Sequence, residues 1–127
     1  MRKVGIISVL LLACCLHLQA KVYLVSVGIA DYPGMKHDLR VSDQDAKTIA
    51  KVFNATKDAS VSVVVNGDAT QGALLSTMHT AFANAQSDDT VILYFSGHGT
   101  PGAIACYDGE LTYQHIFKML KGCKASK

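Results

Sequence analysis

Cysteine is scarce in this 127-residue chain, with four in all, and Cys14 and Cys15 lie inside an N-terminal apolar run. The other two, Cys106 and Cys123, could pair in an oxidising compartment, but two thiols do not make a disulfide framework. No glycine-rich loop opens a helix after the first predicted strand, which sets a nucleotide-binding or phosphoacceptor module aside. Repeats, low-complexity tracts and internal linkers are absent too, so the length fits one domain and not two.

Long apolar runs are limited to one. Met1-Arg2-Lys3 is a basic start, Val4 to Leu16 is almost unbroken apolar sequence, and Leu18-Gln19-Ala20 ends on a small residue. That is the layout of a secretory signal peptide over residues 1–20, and the run is short for a membrane-spanning helix. Leu11-Leu12-Ala13-Cys14 also looks like a lipoprotein cleavage box with Cys14 lipidated, although Leu12 is bulky for its place. A buried first strand or helix is the third reading. Either leader route exports the protein, and the expectation is a secreted or periplasmic domain at residues 21–127. Cleavage after Ala20 would remove Arg2 and Lys3, leaving 10 basic against 10 acidic side chains. No charge excess then remains to suggest nucleic acid or an anionic membrane as a partner.

What is present is an alternation. "KVYLVSVGI" from Lys21 to Ile29 reads as a strand buried on both faces, and "ADYPG" ends it. After a polar loop from Met35 to Val41, Ala46, Ile49, Ala50 and Phe53 mark one face of a helix. Ser42 followed by Asp45 resembles a capping box at its start. "VSVVV" from Val61 to Val65 is a second strand. A second helix is predicted over residues 70–86, with Leu74, Leu75, Met78, Phe82 and Ala85 on its buried side. Thr90 to Phe95 is a third strand, followed by a glycine-rich turn. Thr112 then caps a third helix that buries Tyr113, Ile116, Phe117 and Leu120 and stops at a left-handed Gly122. Continuous apolar strands alternating with amphipathic helices predict an α/β fold, a mainly parallel sheet covered on both faces.

The third strand ends in "YFSGHGT", which puts His98 just beyond the carboxyl end of a buried strand, where open parallel sheets gather reactive groups. Gly97 and Gly99 leave room for an unusual turn and for close approach of a substrate backbone. An imidazole there suits general-base work or deprotonation of a thiol, and the Gly99 N–H suits an oxyanion. A turn histidine that only bonds its own loop would leave the same sequence trace.

"YFSGHGT" resembles the histidine motif of the caspase-like cysteine peptidases, the group that includes metacaspases and paracaspases. "VYLVSVGIADYPG", "LRVSDQDAKTIAKVF" and "NGDATQGALLSTMHTAF" are similar, in order, to the family's first strand, first helix and approach to its second helix, so the resemblance spans Val22 to Gly122. It implies a three-layer α-β-α sandwich and peptide-bond hydrolysis through an acyl-thioester. His98 would be the catalytic histidine and Gly99 the oxyanion donor. Asp45 and Ser96 would line the pocket for the substrate's P1 side chain, with a carboxylate favouring Arg or Lys. Arg40 lies near the place of the arginine that would instead favour Asp, but at a different spacing. Asp45 as a helix cap is the competing reading, and Asp31 and Asp108 read as solvated turn residues. No cofactor or metal is expected; calcium dependence, which some of the family shows, has no support in this chain.

The family's nucleophile is an Ala-Cys at the end of a fourth strand, about 50 residues after the histidine. That count lands near position 148, so the resemblance implies a fold truncated before its fourth core strand. The cysteine would then come from a downstream segment or a second chain, and these 127 residues alone would not turn over a protein or peptide substrate. "IACYDG" around Cys106 imitates the nucleophile motif but stands eight residues after His98, in a predicted loop. Cys123, just past the third helix, falls at the opposite end of the sheet. A truncated, non-catalytic caspase-like module that binds or regulates a partner is the alternative.

Overall fold

Valine and isoleucine runs build the centre of the molecule in the computed structural model, which describes residues 19–127. The predicted leader up to residue 18, with Cys14 and Cys15, lies outside the described residues. Strands β1 (Val22–Gly28), β2 (Ala59–Val65) and β3 (Thr90–Ser96) form a parallel sheet in the order β2-β1-β3. Gly28 stands opposite both Val65 and Ser96, so the three strands end level and deliver their loops to one edge. As the central strand, β1 is buried on both faces: Leu24, Val25, Ser26 and Val27 have no exposed surface.

Helix α1 (Ser42–Asn54) links β1 to β2, and α2 (Gln71–Phe82) leads from β2 back past β1 to β3. Right-handed crossovers running in opposite directions place these helices on opposite faces. The two faces pack differently. On one, Val25, Val27 and Ile29 join Leu74, Met78 and Phe82 in the main core. On the other, small residues draw α1 close, and the buried Ser26 hydroxyl donates to the Ala46 carbonyl at 2.8 Å. A third helix, α3 (Tyr113–Lys121), adds Ile116 to the main core.

The predicted α/β alternation is present, with differences at its edges. The stretch after β3 is no loop. It forms a small antiparallel sheet of β4 (Gly99–Thr100), β5 (Ala103–Cys106) and β6 (Gly109–Thr112). Strands of two to four residues give too little alternation to register as a period. Pro101-Gly102, with Gly102 at φ +83°, makes the type II turn between β4 and β5. The segment after β1 holds a single 3-10 turn at Met35–His37.

The capping box is not formed either, because α1 starts after Val41 with no side-chain cap and Asp45 bonds elsewhere. Thr112 does cap α3, its hydroxyl accepting from the His115 N–H, but Gly122 keeps right-handed helical angles. Tyr113 and Phe117 are 41% and 56% exposed, because the face that meets the core is centred on Ile116. On the outer edge of β3, the Val91 N–H donates to the Lys127 carbonyl at 2.9 Å, which lays the chain's tail against the foot of that strand.

Candidate active site

Tyr32 organises the end of the sheet. Leaving β1, the chain is held by the Asn66 side-chain oxygen, which accepts from the N–H groups of Ala30 and Asp31 at 2.9 and 3.1 Å. The backbone then turns so that Tyr32, 7% exposed, runs back under the β3–β4 corner. Its hydroxyl accepts from the His98 N–H at 2.9 Å and donates to the Ala105 carbonyl at 2.9 Å. The Ala105 N–H donates to the His98 carbonyl, also at 2.9 Å. The phenol therefore stands inside an antiparallel pair, replacing the second rung between His98 and Ala105.

The imidazole is fixed from two sides. Its Nε2 lies 2.7 Å from the His37 carbonyl, and its ring centroid lies 4.8 Å from that of Tyr32. A carbonyl only accepts, so Nε2 carries the proton and Nδ1 is the basic nitrogen of the neutral ring. His98 and Gly99 border an open cleft of about 420 Å³ with Tyr32, Pro33, His37 and Ala105.

The two glycines differ. A Cβ on Gly97 would lie 2.6 Å from the Tyr32 hydroxyl and 2.7 Å from the tip of the Phe95 ring, so a side chain there would force both rings to shift and disturb the Tyr32 hydrogen bonds. Gly99 meets nothing closer than 3.7 Å and has no need of glycine on steric grounds. Its role rests on the backbone. His98 and Ala105 form a hydrogen-bonded pair, so Gly99 and Ile104 form the next, non-bonded pair, and the Gly99 N–H points away from β5.

Asp45 and Ser96, far apart in sequence, meet on the α1 side of the sheet end. The Ser96 hydroxyl donates to the Asp45 carboxylate at 3.0 Å, and both residues are half-buried. They do not border the cleft beside His98. Arg40 is exposed, and the ion pair among the described residues joins Lys47 to Asp43, not Arg40 to Asp45. Asp108 is more than a solvated turn residue, since its carboxylate accepts from the Gln71 N–H at 2.8 Å and caps α2.

Neither described thiol faces the imidazole. Cys106 lies in β5, not in a loop, and points to the side opposite Ala105. It is 3% exposed, and burial, with Asp108 nearby, pushes its thiol up to about 11. A thiol that stays protonated at neutral pH is a poor nucleophile. The Cys123 thiol donates to the Leu120 carbonyl at the end of α3, and both cysteines are free.

A caspase domain family model matches residues 22–127. The chain belongs to the caspase-domain peptidase family. A hemoglobinase of Schistosoma mansoni is 30% identical over 90 residues, covering 71% of this chain and 17% of that protein. A Geobacter sulfurreducens protein of known crystal structure superposes with a TM-score of 0.70 at 20% identity, over 84% of this chain and 46% of that one. This chain thus spans less than half the length of each of these two proteins. Among the described residues no three His, Cys, Asp or Glu side chains converge as metal ligands. No helix among them is long and apolar enough to cross a membrane.

Sequence reasoning passed over Tyr32 and the His37 carbonyl. The only trace was a tyrosine among the turn residues of "ADYPG". Tyr32→Phe is expected to keep the ring contact while stranding the His98 N–H and the Ala105 carbonyl. That should cost about 1–3 kcal/mol, read by chemical denaturation.

Proposed function

We propose that this chain is the histidine-bearing part of an exported cysteine endopeptidase. The observation that carries the proposal is His98 at the carboxyl end of β3, its Nε2–H held by the His37 carbonyl and its Nδ1 left basic beside an open cleft. In the reaction Nδ1 takes the proton of a cysteine thiol, the thiolate attacks a peptide carbonyl, and the Gly99 N–H receives the oxyanion. The imidazolium then protonates the leaving amine, and water releases the acyl group from sulfur.

The thiol comes from a segment beyond Lys127. A strand continuing from Lys127 beside β3 would start level with Val91, and His98, two residues past the end of β3 at Ser96, lies seven residues on from there. Parallel strands advance at the same rise, so the nucleophile is expected about seven residues past Lys127. That is far nearer than the position around 148 given by the family's usual spacing.

Asp45, held by Ser96 and without an ion pair among the described residues, would give the P1 pocket a preference for Arg or Lys. Asp45→Asn should lower kcat/KM for substrates ending in Arg or Lys on the order of 10- to 100-fold. An uncharged P1 residue should be affected little. Hydrolysis of fluorogenic peptides ending in Arg, Lys or Asp by the complete gene product tests both claims. If Cys106→Ala abolishes hydrolysis, the nucleophile lies within this chain and the proposed strand is wrong. A non-catalytic caspase-like module that binds or regulates a partner is the second reading. Peptide hydrolysis by the complete product would exclude it.

A further inference from the structure

We infer that Asp89 is the receptor for an α-ammonium group created at Lys21 when the leader is removed, so that processing locks the start of β1 onto the sheet. The inference rests on the export reading. Lys21 is already held as a terminus would be: its backbone nitrogen donates to Asp89 Oδ1 at 2.8 Å, and its carbonyl accepts from the Thr90 N–H at 2.9 Å. The next residue is fixed too, the Val22 N–H donating to the Asp58 carbonyl at 2.9 Å. Gln19 and Ala20, by contrast, are exposed and carry no regular structure.

Asp89 is 5% exposed, and its second oxygen accepts from the Gln86 N–H at 2.8 Å. The bonds from Lys21 and Gln86 hold its carboxyl below the usual range, so it is ionised at neutral pH. It forms no ion pair among the described residues. A nearly solvent-excluded carboxylate that holds two backbone N–H groups, with the Lys21 side-chain charge nearby but not in contact, is an unusual element to build beside a predicted cleavage point.

Cleavage supplies a countercharge in direct contact with the carboxylate. Water adds across the Ala20–Lys21 bond, the leader departs with a carboxylate on Ala20, and the Lys21 nitrogen becomes an ammonium with three N–H donors. One keeps the Asp89 bond. The others face a cleft of about 330 Å³ lined by Tyr23, Asn84, Gln86, Ser87, Asp88 and Asp89, which leaves room for water. The titratable groups around the site are the Lys21 side chain, Tyr23 and Asp88, with Lys127 approaching from the tail beside Val91.

An ammonium beside a carboxylate has its pKa raised by folding above the ordinary range of roughly 7.7–8.0. Its stabilisation is therefore complete below that range and fades as pH rises through the folded value. The test has two stages. First, the complete gene product is expressed with its leader, and the secreted protein is sequenced from its amino end. Second, the mature protein beginning at Lys21 is compared with one retaining Ala20, each with wild-type Asp89 and with Asp89→Asn.

The secreted terminus should read "KVYLV". At pH 6.5 the form starting at Lys21 should melt several degrees above the form retaining Ala20, and Asp89→Asn should erase that gap. Should Asp89→Asn fail to fold, an NMR titration of the wild-type Lys21 α-amine decides, with a midpoint clearly above 8 expected (~8 being the ordinary upper value). A terminus elsewhere overturns the inference through the export step. Equal melting points, a gap that survives Asp89→Asn, or an unshifted α-amine overturns it at the carboxylate. Hydrolysis by His98 is assayed separately and is unaffected by either failure.

Discussion

His98→Ala in the complete protein is expected to lower kcat/KM on its peptide substrates by at least about 10³-fold while leaving a folded domain. The activity figure follows from the two jobs given to one ring. General acid–base catalysis alone contributes roughly 10²–10⁴-fold, and a thiol without its base also loses nucleophilicity at neutral pH. The stability figure follows from position. His98 is only half-buried, and its side chain makes one hydrogen bond, to the His37 carbonyl, plus the face contact with Tyr32. Its backbone N–H and carbonyl, which anchor the β3–β4 corner, survive the substitution. A loss of about 1 kcal/mol is therefore expected, read as a small shift in a thermal melt. Initial rates on fluorogenic peptides give the first number and circular dichroism the second. Full activity in a folded His98→Ala protein would reduce the residue to a turn histidine and remove the basis for the proposed mechanism.

Why the sequence shows some of this and hides the rest follows from how far each contact reaches. The three core strands are legible because β1, buried on both faces, needs an apolar run throughout, and its neighbours β2 and β3 carry short β-branched stretches beside it. Helices α1 and α2 are legible because one buried stripe recurs at helical spacing, as in Ala46 and Ala50, or Leu74, Met78 and Phe82. His98 stands out because glycine is placed on both sides of it. The hidden parts depend on a single long-range partner. Nothing local says that the Tyr32 hydroxyl will enter the rung between His98 and Ala105, 66 and 73 residues away. Asp45 has the spacing of a cap from Ser42, yet its partner is Ser96, 51 residues on. Tyr113 and Phe117 fit the apolar stripe of α3, and only the position of its neighbours reveals that this flank is left uncovered.

The largest loss of stability is expected from Gly28→Ala, at the end of β1. A Cβ built there would stand 2.1 Å from the Ser42 carbonyl oxygen, 2.8 Å from the Ser42 carbonyl carbon and 2.7 Å from the Ala46 Cβ. These are backbone atoms and the root of a side chain, so no rotamer change relieves the clash; α1 itself must move. Overpacking of a tight core ordinarily costs about 1–3 kcal/mol, and a contact this short belongs at or beyond the upper end. The displacement also has a direction. Pushing α1 off the sheet stretches the Ser26–Ala46 and Asp45–Ser96 bonds, both of which span the same gap. Any Gly28→Ala protein that still folds should therefore lose discrimination for Arg and Lys more than it loses hydrolysis at His98, which sits on the corner fixed by Tyr32. Gly72→Ala is the matched control: its Cβ would meet nothing within 4 Å, and it lies in α2, where alanine is favoured over glycine by up to about 1 kcal/mol. Denaturation of the two variants side by side should move in opposite directions. If Gly28→Ala matches the wild type in midpoint and in P1 preference, the close contact of α1 on β1 is not what positions Asp45.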